Sequence, residues 1–333
     1  MAKIVLALGT SHGPLTHLEA DQWLERAKDD MLSGALNTID GRMVSYQELV
    51  AERGEPYVRE SSVEHLTRQA EQVQRAITRI ADELEACAPD LVVVVGDDQG
   101  ELFGPENMPA VSIFYGKDIA THPWQNAERL PEFWKPVLKG CGLDDFHVYE
   151  GAPEFSLELI ESLIEQHFDV AAAASVPDPA RRGFGHAFGF VVERLYRGRS
   201  IPMVPVLLNT YFPPNAPTPG RAYALGRALR KAIEESPAEL RVALIASGGL
   251  SHFLCEEALD RSVLDAIARK DEAALAAIPR QAILSGSSEI LNWITVAGAS
   301  EHLEMAWSEY MPVYRTPAGT GIGMAFAAWK DIG

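Results

Sequence analysis

The chain is poor in cysteine, has no long apolar run, and carries few basic residues relative to acidic ones. Its three cysteines, Cys87, Cys141 and Cys255, are dispersed and form no CxxC spacing. An odd, scattered set of thiols is typical of a reducing compartment and argues against a disulfide framework. No stretch approaches the roughly 18 apolar residues of a membrane span, and no signal-peptide layout precedes the first apolar strand. We therefore expect a soluble cytoplasmic protein.

The shortage of basic residues bears on possible partners. The 29 lysines and arginines stand against 47 acidic residues, which gives a net charge of −18 at pH 7. Nucleic acid and anionic membrane surfaces repel such a charge, so neither is expected as a partner. Hydrophobic residues make up 47% of the 333 positions, which is typical of a globular chain with a large core.

Apolar strand-like runs alternate with helical patterns along the chain, and no linker or internal repeat separates them. The apolar spacing over 63–87 predicts a long amphipathic helix, and the chain closes with a Gly/Ala-rich tail over 320–329. This alternation predicts an α/β fold, a single domain over 1–333 with a mostly parallel or mixed central sheet flanked by helices. A helical insert is expected at about 20–60.

One strand stands out, in the stretch 91–103, LVVVVGDDQGELF. Five consecutive apolar residues, four of them β-branched, predict a strand buried on both faces. The apolar run ends at Gly96, and the polar residues Asp97, Asp98 and Gln99 follow it. Because ligands of open α/β sheets bind beyond the carboxyl ends of the strands, these polar side chains lie where chemistry is expected.

Three histidines lie in similar positions. His12 follows a predicted strand over 3–8 in a Gly/Ser/Pro turn, and His186 lies in a glycine-containing loop before a helix. His252 follows a predicted strand over 241–246, after two glycines that let the backbone approach a ligand closely. Taken alone, His12 is also explained as a turn histidine without a function.

A carboxylate, Glu289, lies in the first turn of a helix that follows Ser285. A serine N-cap with a glutamate in the first turn is a capping pattern, which explains Glu289 without any ligand. Histidines and a carboxylate from separated segments are also the ligands of a ferrous two-histidine, one-carboxylate site or of a zinc hydrolase. The chain has neither a GxSxG elbow nor a Walker loop.

Several short motifs, taken in their order along the chain, resemble a known family. They are Ser11-His12-Gly-Pro, Gly-Asp-Asp-Gln99, Gly185-His186, Ser247-Gly-Gly-Leu-Ser-His252 and Glu289-Ile-Leu-Asn-Trp293. From about residue 3 to residue 329 the chain resembles the LigB-type class III extradiol ring-cleavage dioxygenases. That family includes the protocatechuate 4,5-dioxygenase β subunit and gallate dioxygenase.

The resemblance implies a role for each matched position. His12 and Glu289 match ligands of an Fe(II) cofactor. His252 matches the general base that takes a proton from the substrate and later returns it as an acid. His186 matches a second pocket histidine that assists with substrate or dioxygen. The family further implies extradiol cleavage of a small catecholic or hydroxylated aromatic substrate by dioxygen, and association into a homo-oligomer, commonly a dimer.

The chain departs from the family at Gln99, where the family pattern has its second histidine ligand. An imidazole nitrogen binds a borderline metal much better than a neutral amide oxygen does. Three outcomes stay open at this point. The Gln99 amide or a water completes a weakened iron site, Asp98 turns inward to give one histidine and two carboxylates, or the metal is lost and the pocket performs other acid–base chemistry.

The candidate substrate-binding residues are Asp98, Arg181 and Arg182. The two arginines lie close to His186 in the sequence and could grip a substrate carboxylate at two points, although a solvated loop also explains them. Three functions are compatible with the sequence: an iron-dependent extradiol dioxygenase, a metal-independent or zinc-dependent hydrolase or lyase on the same scaffold, and a non-catalytic partner subunit. The retained histidines argue against the last, and Gln99 favours the second.

Overall fold

The computed structural model describes residues 1–176 and 178–331, so positions 177, 332 and 333 of the domain predicted over 1–333 lie outside the described residues. In chain order the strands are β1 Lys3–Thr10, β2 Leu36–Asn37, β3 Met43–Val44, β4 Leu91–Asp97, β5 Val111–Phe114, β6 Asp118–Ala120, β7 Val148–Glu150, β8 Ala171–Ala173, β9 Met203–Leu208, β10 Arg241–Ser247, β11 His252–Leu254, β12 Glu304–Tyr314 and β13 Thr320–Lys330. The α-helices are α1 Ala20–Met31, α2 Tyr46–Arg53, α3 Val63–Cys87, α4 Lys135–Gly140, α5 Pro153–Glu165, α6 His186–Phe190, α7 Pro219–Glu235, α8 Glu257–Ala268, α9 Glu272–Ala276 and α10 Ile290–Ala299.

In the described part of the chain, nine strands form one mixed sheet. Their order is β11-β13-β1-β10-β4-β9-β5-β8, with β12 paired to β13 outside this path. Strands β1, β10, β4 and β9 run parallel to one another, whereas β5 pairs with β9, and β13 with its neighbours, in antiparallel fashion. The α/β fold with a mixed central sheet flanked by helices is therefore confirmed. Among the helices of the described residues, none combines the length and apolar character that crossing a membrane requires.

Strand β4 is buried on both faces, as its valine run predicts. Val93 and Val95 pack in one core layer together with α5, α7, α8 and α10. Val92 and Val94 pack in the opposite layer, which α3 covers with one apolar face. The bounds of α3, Val63–Cys87, are those that its apolar spacing predicts. The hydrophobic pattern alone thus places the sheet between two layers of helices.

The two least regular parts of the sequence both join the main body. The region about 20–60, predicted as a helical insert, contains α1, α2 and the short β2–β3 hairpin. A buried ion pair between Asp30 and Arg315, 2.7 Å long, ties α1 to the turn between β12 and β13. The Gly/Ala-rich tail is strand β13, which pairs with β1, β11 and β12. Its small residues suit a strand whose neighbours approach from both edges and both faces.

The carboxyl ends of β1, β10 and β4 meet at one edge because these three strands are adjacent and parallel. The register pairs Thr10 with Ser247 and Ala246 with Val95, so the three ends are level. The loops that follow these strands therefore leave the sheet side by side. This edge is where the sequence predicts the site.

Helix α10 is held against the same edge. The Trp293 Nε1–H donates a hydrogen bond of 2.8 Å to the Gly248 carbonyl, which joins the start of α10 to the loop after β10. Helix α10 also approaches α7 closely at Gly226 and Gly298, where any Cβ would collide with the backbone of the facing helix. The residue that precedes α10, Glu289, is thereby fixed next to the strand ends.

Candidate active site

A cavity of about 290 Å³ lies at this edge of the sheet. Of the eight site residues predicted from the sequence, five line it: His12, Gln99, His186, His252 and Glu289. Tyr211 adds a further polar group to the lining. The cavity therefore gathers side chains that are up to 277 positions apart in the sequence, from His12 to Glu289.

The Glu289 carboxylate lies between two of the histidines that line the cavity, His12 and His252. Its Oε2 lies 3.3 Å from His12 Nε2 and accepts a hydrogen bond of 2.5 Å from the Gly249 N–H, and its Oε1 lies 3.3 Å from His252 Nε2. Burial opposes ionisation, but the facing histidines hold the pKa of Glu289 well below its usual range. The capping explanation is wrong, since Glu289 makes no side-chain cap bond and Ser285 has a left-handed φ of 52°.

The hydrogen bonds of His12 determine its tautomer. Its Nδ1 lies 2.9 Å from Ser247 Oγ, and that hydroxyl donates its hydrogen to the Ala187 carbonyl at 2.7 Å. Because a hydroxyl has one hydrogen, Ser247 accepts from His12, so Nδ1 carries a proton and the neutral form of this ring has its lone pair on Nε2. Within the described residues this buried Nε2 has no hydrogen-bond partner. A buried ring nitrogen without a hydrogen-bond partner, facing a carboxylate, is the arrangement that a metal ion satisfies.

His186 is paired with a carboxylate that the sequence analysis did not single out. Its Nδ1 lies 2.7 Å from Glu101 Oε1, which also accepts the backbone N–H of His186 at 3.0 Å. Burial lowers the pKa of His186, but Glu101 outweighs burial and raises the pKa to about 10. The ligand atoms of His12, His186 and Glu289 all lie within 4.8 Å of one another. A carboxylate on the far nitrogen is the arrangement that orients metal-binding histidines.

Gln99 lies between two carboxylates. Its Nε2 donates to Asp97 Oδ2 at 3.0 Å and to Glu289 Oε1 at 3.3 Å. Since carboxylates only accept, these contacts assign the amide nitrogen, and not the oxygen, to the side that faces Glu289. The contacts favour a hydrogen-bonding role for Gln99 over the ligand role implied by the family resemblance.

Asp97, next to the predicted site residues, completes this network. Its side chain is fully buried, and burial followed by the nearby Glu289 carboxylate raises its pKa. Asn292 Nδ2 donates to Asp97 Oδ1 at 3.1 Å and to the Ser247 carbonyl at 2.9 Å. One amide thus joins the ends of β4 and β10 to helix α10.

His252 is held on the opposite side of Glu289. Its Nδ1–H donates to the Leu250 carbonyl at 2.8 Å, which leaves Nε2 facing the carboxylate. The Ser287 hydroxyl accepts the His252 N–H at 2.9 Å and donates to the His252 carbonyl at 2.8 Å. Burial opposes the charge on the ring, but Glu289 outweighs burial and raises the pKa of His252. A fixed imidazole with one nitrogen in the cavity can move a proton to and from a bound molecule.

Asp98, predicted to contact substrate, caps a turn instead. Its carboxylate accepts the backbone N–H groups of Glu101, Leu102 and Phe103 at 2.7 to 3.0 Å. It is buried, which raises its pKa to about 6, and it is not among the residues that line the cavity. These bonds close the turn after β4, so the inward rotation considered for Asp98 would break three of them.

The two arginines line a neighbouring cavity of about 390 Å³. Arg181 is exposed, whereas Arg182 forms a 2.6 Å ion pair with Glu106. The two cavities share the lining residues Gln99, Trp124 and Leu143. The predicted contact of the arginines with a substrate carboxylate stays a prediction, which the variants below test.

The remaining wall of the first cavity is apolar and was not predicted from the sequence. Besides Pro14, the apolar side chains that line it are Trp124, Leu130, Trp134, Val137, Leu138, Leu143 and Phe253. All but the last come from residues 124–143, a stretch rich in short helical turns. Its apolar residues have no single period, so the pattern of the sequence did not identify a common face.

Comparison with known proteins identifies relatives of this chain. Residues 61–320 match the model of a family described as the catalytic LigB subunit of aromatic ring-opening dioxygenase. The chain is 26% identical over 184 residues to the 2,3-dihydroxyphenylpropionate/2,3-dihydroxicinnamic acid 1,2-dioxygenase of Comamonas testosteroni, which covers 54% of this chain and 48% of that protein. It is 32% identical over 127 residues to the gallate dioxygenase of Pseudomonas putida, which covers 34% of this chain and 36% of that protein.

The matched regions thus span about half or less of the length of these two relatives. The family match is broader, because it covers more than half of the 333 residues and includes Gln99, His186, His252 and Glu289. His12 lies before the matched range. As the motifs in the sequence predict, the chain belongs to the LigB family of aromatic ring-opening dioxygenase subunits.

Proposed function

We propose that the protein is an Fe(II)-dependent extradiol dioxygenase that opens the ring of a small catecholic or hydroxylated aromatic compound with dioxygen. One observation carries the proposal. The buried His12 Nε2 lies beside Glu289 and His186 and has no hydrogen-bond partner among the described residues. Membership of the LigB family supports the same chemistry.

His12, His186 and Glu289 would hold the ion. Two imidazoles and one carboxylate are the donor set of non-haem Fe(II) oxygenases, which leave coordination positions open. Iron(II) bound there would supply the redox chemistry that joins a diol to dioxygen. Ser247 and Glu101 fix the two imidazole rings from behind, and Gln99 and Gly249 hold the carboxylate by donating hydrogen bonds.

His252 is the group that exchanges a proton with the substrate. The Leu250 carbonyl holds the proton on Nδ1, so Nε2 is the atom that takes a proton from a substrate hydroxyl. Without an ion, Glu289 raises the pKa of His252 against the effect of burial. Once Glu289 shares its charge with an ion, it stabilises the charged imidazole less, and His252 Nε2 becomes free to act as a base.

Metal analysis of anaerobically purified protein, combined with oxygen uptake on catechol, protocatechuate and gallate, tests the proposal. We expect stoichiometric iron, oxygen consumption, and a ring-opened product identified by mass, which is a semialdehyde when catechol or protocatechuate is the substrate. Absence of iron, together with no oxygen uptake after reconstitution with Fe(II), would contradict it. Zinc retained in place of iron, with no oxygen uptake, would support the hydrolase or lyase alternative, because zinc accepts the same donors.

Replacing Ser247 with alanine removes the acceptor of the His12 Nδ1–H and frees that ring. We expect Fe(II) affinity to fall about 10- to 100-fold, the usual effect of losing a partner that orients a ligating histidine. Anaerobic titration of Fe(II) in competition with a chelator measures the change. Ser300→Ala is the matched control, since the buried Ser300 hydroxyl donates only to carbonyls of α10. Equal affinities in both variants would contradict a positioning role for Ser247.

Replacing Gln99 with histidine restores the residue type of the family pattern. We expect Fe(II) affinity to rise by about tenfold or more, because the Gln99 amide only donates a hydrogen bond to Glu289, whereas an imidazole at this position would add a ligand for iron. The same titration measures it, with Gln125→His as a control on a nearby exposed position. An unchanged affinity would mean that position 99 lies outside the ligand sphere and that Gln99 acts only through its bonds to Asp97 and Glu289.

A further inference from the structure

The lining of the cavity supports an inference about the substrate that rests on the proposed function and deepens it. The geometry points to a substrate whose diol ring carries an apolar, uncharged substituent. The diol would lie among His12, His186, His252 and Glu289, and the substituent would lie against residues 124–143. We name these residues the cap segment.

The cavity has two chemically distinct ends. The polar end holds three histidines and one carboxylate from the strand edge. The other end is lined by apolar side chains of the cap segment and by Phe253, and it contributes Cys141 as its single sulfur among the described lining residues. Burial raises the pKa of the Cys141 thiol, so that group is neutral. A ligand that spans both ends therefore needs a polar head and an apolar body.

The cap segment is held in place at both of its ends. The Trp124 N–H donates to the Leu143 carbonyl at 2.9 Å, which closes the segment into a loop. Helix α4 lies inside this loop and buries Val137 and Leu138, which are 6% and 7% exposed. Trp124, by contrast, is 45% exposed although it lines the cavity. An apolar wall that is already packed before a ligand arrives favours a ligand of matching character.

No lysine or arginine is found among the described residues that line this cavity. Behind Cys141, Arg194 is engaged by His17 Nδ1 at 2.8 Å and by the Thr16 carbonyl at 2.9 Å. A carboxylate placed against the cap segment would lose its water without gaining a cation. Because a buried charge without a partner is strongly disfavoured, the apolar end selects against carboxylated rings.

The neighbouring cavity, which Arg181 and Arg182 line, is the place where a carboxylated substituent would find positive charge instead. It shares Gln99, Trp124 and Leu143 with the first cavity, so a substrate tail that leaves the first cavity along these three residues would reach the arginines. Arg182 is already paired with Glu106 at 2.6 Å. That pairing leaves less positive charge for a ligand, and it favours the apolar end as the seat of the substituent.

Calorimetric binding to the metal-free protein tests this inference with two catechols that differ in their substituent. The probes are 3-phenylcatechol and protocatechuate, titrated anaerobically at several temperatures. We expect 3-phenylcatechol to bind at least about tenfold more tightly, the lower range for adding apolar groups to an apolar pocket. Its binding should show a negative heat-capacity change, the mark of apolar surface leaving water.

Variants of the cap segment locate the substituent. Trp134→Ala is expected to weaken 3-phenylcatechol binding about tenfold and leave protocatechuate binding unchanged. Leu130→Arg places a cation at the apolar end and should shift the preference toward protocatechuate. Phe146→Ala is the matched control, since Phe146 is 54% exposed and is not among the lining residues. Circular dichroism checks that each variant is folded. If Leu130→Arg does not fold, the effect of Trp134→Ala on 3-phenylcatechol binding tests the position of the substituent.

Other results would overturn the inference. Tighter binding of protocatechuate that is lost in Arg181→Ala or Arg182→Ala would show that the substrate is carboxylated and reaches the neighbouring cavity. Equal affinities for the two probes, or no binding of either, would show that the cap segment does not select a substituent. Because binding is measured without iron and without turnover, failed ring opening leaves these results intact. Conversely, efficient opening of protocatechuate alone would overturn the inference while the proposed function stands.

Discussion

Glu289→Gln is expected to lower Fe(II) affinity by more than about a hundredfold, since it removes a charged ligand and not only an orienting partner. The Glu289 carboxylate lies 3.3 Å from both His12 Nε2 and His252 Nε2, where its negative charge would face the proposed ion. Glutamine has the same shape, so the side chain still fits beside Gly249. Iron content after anaerobic purification and chelator competition measure the loss.

The same variant has a second readout that needs no iron. Glu289 raises the pKa of His252 against the effect of burial, so removing its charge must lower that pKa. Titration of the histidine ring protons by NMR in the metal-free protein should show this fall. Glu309→Gln, which removes a carboxylate that pairs with Arg79 at 2.9 Å on the surface, is the control for both readouts. Undiminished iron affinity in Glu289→Gln would refute the ligand role.

His252→Ala is expected to lower kcat by about 10²- to 10⁴-fold, the usual contribution of a general base, while iron stays bound. The reason is that His252 Nε2 faces Glu289 but His252 is not one of the three side chains proposed to hold the ion, whereas His12 and His186 are. Oxygen uptake at saturating substrate and iron analysis of the same sample separate catalysis from binding. The limb of the pH–rate profile that reports the free base should also disappear.

A histidine outside the cavity provides the matched control for this variant. His147 pairs with Asp144 at 2.9 Å, and it is not among the lining residues. His147→Ala should therefore retain the kcat of the wild type. Loss of iron in His252→Ala would place His252 among the ligands, and an unchanged kcat would remove it from the reaction.

The parts of the fold that follow from local pattern were predictable. The five apolar residues that begin β4 predict its burial from neighbouring positions alone. The helical spacing of apolar residues in α3 predicts its buried face in the same way. Strand β13 was not predicted, because its glycines and alanines have no apolar alternation. Its burial results from pairing with β1, β11 and β12, which are distant in the sequence except for β12.

The site divides in the same way. The sequence predicted His12, Gln99, His186, His252 and Glu289 as site residues, because each follows a strand or begins a helix in a motif that resembles the family, and all five line the cavity. It could not decide whether Glu289 caps a helix, since that depends on the Gly249 N–H and the histidines that face the carboxylate. It also placed Asp98 with the substrate, whereas three backbone N–H groups of the following turn hold that carboxylate.

Residue types and their order along the chain were therefore determined by the sequence, and the direction of each side chain was decided by tertiary structure. The tautomer of His12 depends on Ser247 and Ala187. The orientation of the Gln99 amide depends on Asp97 and Glu289. The apolar end of the cavity depends on the cap segment closing over the strand edge. Hydrogen bonds and cavities form between segments that only folding brings together, so no local pattern contains them.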